Sequence, residues 1–74
     1  MSLSPIAEML INDFSAALKD KLLDAQNKHG WSDDWLNIPD YQLHLDLKQH
    51  VEKGDPRDVA IYCAFAWYHG YRTA

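Results

Sequence analysis

A single cysteine, Cys63, leaves this chain no internal disulfide. A free thiol within an apolar run behaves as a small buried hydrophobe and suits a reducing, cytoplasmic setting. Basic residues are also scarce. Seven Lys and Arg stand against eleven Asp and Glu, and the net charge is −4. No stretch gathers cations into a surface that tracks phosphates, which argues against nucleic acid as a partner. The same −4 is mild for an acidic decoy of a host nucleic-acid enzyme. Long apolar runs are missing as well. The longest, Val59 to Tyr68, is ten residues, half of the roughly 20 that a bilayer-spanning helix needs. The N-terminal stretch lacks the basic region and long apolar segment of a signal peptide. There is no Gly-rich phosphate loop and no nucleophile elbow around any Ser. The expectation is a small soluble protein, away from membranes and without a cofactor.

What is present is a folded composition. The chain is 47% hydrophobic and 12% aromatic, whereas disordered chains are poor in aromatics. Seventy-four residues make one domain, from residue 1 to 74. Ser4-Pro5 opens a first helix, because Ser is a favoured N-cap and Pro a favoured first helical residue. Ile11, Phe14, Leu18, Leu22 and Ala25 then recur at steps of three and four, the spacing of one helical face. Lys28 and His29 suit the C-terminal end of the helix dipole, and Gly30 stops the helix. Ser32 is expected to cap a short turn through Asp33, Asp34 and Trp35. Trp31 and Trp35 would share a face if that turn is helical, and would plug the space between helices. Ile38-Pro39 breaks the chain.

Tyr41, Leu43, Leu45 and Leu47 alternate as in a strand. Their neighbours are Gln, Lys, Glu and Asp, and Val51 is the only β-branched residue nearby, so a second helix is expected over 40–53. Gly54-Asp55-Pro56-Arg57-Asp58 is the clearest helix start: a stop, an N-cap Asp, a Pro and an early acid. The third helix, closed by His69-Gly70, carries no charge over 59–68 and must be covered on several sides. Two amphipathic neighbours cannot surround it. The predicted fold is therefore all-α, a bundle of three main helices completed by dimerisation, with Phe65, Trp67, Tyr68 and Tyr71 at the interface.

The stretch His50-Val51-Glu52-Lys53-Gly54-Asp55-Pro56-Arg57-Asp58-Val59-Ala60-Ile61-Tyr62-Cys63-Ala64-Phe65-Ala66-Trp67-Tyr68-His69-Gly70 resembles one in small phage and prophage helical proteins. It is also similar to a segment of the phage-type dATP/dGTP diphosphohydrolases, relatives of the MazG-like all-α nucleotide pyrophosphohydrolases. Lys28-His29-Gly30-Trp31-Ser32-Asp33-Asp34-Trp35 resembles the upstream part of the same phage proteins. The resemblance implies helices that often complete their bundle by dimerising. It also raises Mg-dependent nucleotide hydrolysis, with acidic residues on two helices holding the metal. Glu52-Lys53-Gly54-Asp55, followed by Asp58, is the counterpart of one such helix. The Glu-rich counterpart of the other is missing.

Two groups of residues invite chemistry. Glu52, Asp55 and Asp58 are metal candidates under the hydrolase reading; as helix caps and a solvated acid they need no metal. Asp46 and His50, four apart with His44 close by, have the spacing of a ligand pair or of a surface hydrogen-bonded pair. The leading expectation is a non-catalytic phage or prophage accessory protein that binds itself and a host or phage protein. The alternative is a reduced MazG-like diphosphohydrolase, or a subunit of one, using Mg.

Overall fold

A computed structural model describes residues 1–30 and 32–74. The expected pairing of Trp31 with Trp35 lies outside the described residues. Helix α1 spans Pro5–His29, α2 Asp40–Lys53 and α3 Pro56–His69, with a short 3-10 turn at Asp34–Asn37. The described residues contain no strand, so the alternating leucines of 41–47 belong to a helix.

The helix ends follow from local chemistry. Ser4 accepts a hydrogen bond from the Ala7 N–H at 3.2 Å, and Pro5 follows it. Asp55 accepts from the Arg57 N–H at 2.9 Å, with Pro56 between them. Gly54 adopts φ 89°, a left-handed turn open to glycine, and only Asp55 then separates α2 from α3. At the other end of α3, Gly70 has φ 73°. Its N–H donates to the Trp67 carbonyl and the Tyr71 N–H to the Ala66 carbonyl, a Schellman closure that satisfies two orphan carbonyls.

The connector departs from the sequence expectation. The 3-10 turn begins at Asp34, after Asp33, and no side chain caps it. Ser32 therefore does not supply the cap. Tertiary contacts hold this turn in place of a local one. Trp35 stacks on Phe65 with ring centroids 5.2 Å apart and meets Tyr68 edge-on at 5.0 Å. The His69 Nε2–H donates to the Trp35 carbonyl at 2.7 Å, and the Tyr71 hydroxyl donates to the Ile38 carbonyl at 3.0 Å.

The core is a helical hairpin with a lid. Leu43 of α2 packs with Ile61, Phe65 and Ala66 of α3, and Leu47 is buried as well, so five residues form the buried core among the described residues. Leu18 and Leu22 of α1, with Trp35, Ile38, Tyr62 and Tyr71, are half-buried around it. Helix α1 contributes no fully buried residue. Its 25 residues make about 37 Å of helix at ~1.5 Å per residue, which matches the longest dimension of the molecule, 38 Å. The two 14-residue helices beside it are about 21 Å long by the same rise. The expected stripe of α1 is thus covered only from Leu18 onward; Ile11 and Phe14, placed on the same covered face by the spacing, are exposed.

Candidate functional site

The acidic turn between α2 and α3 assembles around a lysine. Asp55 lies at the cap of α3 and Asp58 one turn in, so both carboxylates point to the side where α1 crosses. Lys21 reaches them from α1, its Nζ 3.5 Å from Asp55 Oδ2 and 3.6 Å from Asp58 Oδ1. Arg57 adds a fork to Asp55, with Nε 3.3 Å from Oδ1 and a terminal nitrogen 3.1 Å from Oδ2. The Arg57 side chain and then its backbone N–H hold the Asp55 carboxyl down at about 2. Glu52 stands on the exposed side of α2, apart from this group. Of the three metal candidates, the fold brings Asp55 and Asp58 together, but onto an ammonium group. Mg²⁺ needs convergent carboxylates with open positions, and no group of three His, Cys, Asp or Glu among the described residues has that arrangement. These residues do not fit the Mg²⁺ that the hydrolase resemblance implies.

His50 is placed differently from the expected pair with Asp46. Asp46 instead accepts a hydrogen bond from the Gln42 side-chain amide at 3.0 Å. The His50 ring stacks on Tyr62, centroids 4.6 Å apart. Its Nδ1 is buried, makes no hydrogen bond, and lies 3.7 Å from Asp58 Oδ2. Burial pushes the Tyr62 hydroxyl up, helped by the Asp46 and Asp58 charges. His44 sits 3.3 Å from Asp40 and contacts the Arg72 carbonyl, so it fixes the C-terminal tail against α2. A shallow cleft of about 380 Å³ opens beside His50, between Lys21, Lys28, Asp58 and Tyr62. Within it Asp24 neutralises Lys28 at 3.2 Å and Lys21 is held by two acids, so neither cation is aimed at a ligand.

The four aromatics expected at an interface divide evenly. Phe65 is buried in the core and Tyr71 is half-buried and tied to Ile38. Trp67 is 84% exposed and Tyr68 is exposed as well. Cys63 is half-buried and free, more accessible than an enclosed thiol.

The largest feature lies elsewhere. Ile6, Met9, Leu10, Ile11 and Phe14 are all exposed along the first half of α1, and Leu3 is exposed just before it. At ~100° per residue, Ile6, Leu10 and Phe14 fall within one face. Sequence reasoning missed this surface because it began the helical face at Ile11 and Phe14 and left Ile6 and Leu10 unassigned. The available signal was length: α1 has a stripe nearly twice as long as either helix it could pack on. Lys21 was missed too, although it flanks Leu18 and Leu22 and so stands at the rim of the covered face.

Comparison with family models, with curated proteins and with solved structures finds no match to this chain.

Proposed function

We infer that this chain is a phage- or prophage-derived accessory protein that acts by holding protein, itself included, and performs no chemistry of its own. The observation that carries the reading is the run of large apolar side chains left in water on α1, with Trp67 and Tyr68 on α3. Contiguous apolar surface of this kind marks interaction sites on small proteins, and Trp and Tyr are favoured where interfaces are tightest. The acidic turn supports the same reading, since Asp55 and Asp58 hold Lys21 rather than converge on an open position. A reducing cytoplasm suits the free Cys63. Among the described residues no helix is long and apolar enough to cross a membrane.

The test is photo-crosslinking in cells. A photoreactive amino acid is placed at Leu10, at Trp67 and, as a control, at exposed Lys48. The reading expects light-dependent protein adducts from Leu10 or Trp67 and none from Lys48. Absence of adducts at both apolar positions overturns it.

A further inference from the structure

Resting on that reading, we propose that the bare first half of α1 is the seam of a homodimer, in which two copies of Ile6–Phe14 pack antiparallel about a two-fold axis near Leu10. Area is the first argument. The folded chain exposes 5834 Å², whereas a compact monomer of 8.6 kDa exposes about 4,700 Å². The excess, about 1,100 Å², exceeds the roughly 800 Å² that each partner loses in a standard-size interface. A second copy therefore supplies enough cover, and its surface is by definition of matching size.

Pattern is the second argument. Ile6, Leu10 and Phe14 lead at steps of four to Leu18 and Leu22, which are half-buried against the core. Each step turns the stripe by ~40°, so its bare end winds away from the side that α3 covers. Ala7 and Ala17 lie within the same face at ~100° per residue, and their small side chains let a second helix approach closely. Glu8 falls on the opposite side of the helix by the same geometry, while Asp13 stands at the rim beside Ile6, as far from Leu10 as Ala7 is on the other edge.

Direction follows from the rest of the protomer. Everything except α1's first half is built from residue 18 onward. An antiparallel pair centred on Leu10 sets Ile6 opposite Phe14 and Leu18 opposite Ser2, so the two bodies lie at opposite ends of the seam. It also places each helix N-terminus beside its partner's more C-terminal turns, whereas a parallel pair sets like dipole ends together. The contact is self-complementary and closes at two copies.

Sedimentation and cysteine pairing test this together. At micromolar concentration the chain should run at twice 8.6 kDa. Leu10→Glu, or Ile6→Glu if the first does not fold, should run at the single-chain mass with helicity unchanged, since both residues are already exposed within the protomer. In a Cys63→Ser background, Ile6→Cys mixed with Phe14→Cys should crosslink, while neither alone does. A single-chain mass for the unaltered protein overturns the proposal. So does a dimer that survives both Glu variants and is lost in Trp67→Ser, or one that crosslinks only between like cysteines. Failure of the functional reading looks different. A monomer that still gives adducts to another protein from Leu10 in cells removes the second copy and leaves standing only the binding of that other protein; a monomer without adducts removes both.

Discussion

At the residue scale, Asp55 joins three structural roles in one carboxylate. It caps α3, receives the Arg57 fork and shares Lys21 with Asp58. Its folded value of about 2 lies below the ordinary 3.8. A carboxyl lowered in this way favours the folded state above its unfolded value, and that contribution fades as pH falls through the folded value. The protein should therefore lose stability between about pH 4 and pH 2 in part through Asp55. Asp55→Asn keeps a capping oxygen and removes the titration. Thermal melts across that window should show a shallower acid decline for the variant; equal slopes would mean that Asp55 does not couple to folding. The cap itself was legible in the sequence, because Gly54-Asp55-Pro56 acts within four residues. Its lysine was not, because Lys21 comes from another helix and no local pattern joins positions 21 and 55. His50 shows the same limit: spacing offered Asp46, while packing gave it Tyr62 and Asp58.

At the scale of elements, α2 and α3 form the stable unit and α1 divides into two halves. Leu43 has no exposure at all, wedged between the hairpin helices. Leu43→Ala should cost about 2–5 kcal/mol through lost burial and the cavity left behind, a large share of the 5–15 kcal/mol typical of a domain. Leu10→Ala removes as many atoms from a side chain that is 64% exposed. Under dilute conditions, where the protomer stands alone, it should change stability by no more than about 0.5 kcal/mol. Urea midpoints of the two variants check the contrast, and equal losses would place Leu10 in the core. The bounds of all three helices were readable from Ser4-Pro5, Gly30, Ile38-Pro39, Gly54-Asp55-Pro56 and Gly70, each a local signal. The covered length of α1 was not readable. Periodicity reports which face of a helix is apolar, but what lies against that face depends on the lengths of its neighbours. The 3-10 turn was misplaced for a related reason, since Trp35 is held by Phe65 and Tyr68 and not by a cap.

At the scale of the molecule, five buried residues among those described make a small core for the chain's length, and short domains commonly gain stability by association. On the proposed reading the apolar half of α1 serves that role, and the protein binds rather than turns over a substrate. Purified alone, it should release no pyrophosphate from deoxynucleoside triphosphates with Mg²⁺. Release that disappears in Glu52→Gln or Asp58→Asn would restore the hydrolase alternative. The central claim is that Ile6–Phe14 is covered by protein in the working state. Amide hydrogen exchange across a dilution series measures this most directly. The account predicts that the amides of Ile6–Phe14 are protected at micromolar concentration and lose that protection on dilution, while those around Leu43 and Ala66 stay protected in the dilute sample. Fast exchange over Ile6–Phe14 at every concentration, with or without added partner, would contradict it.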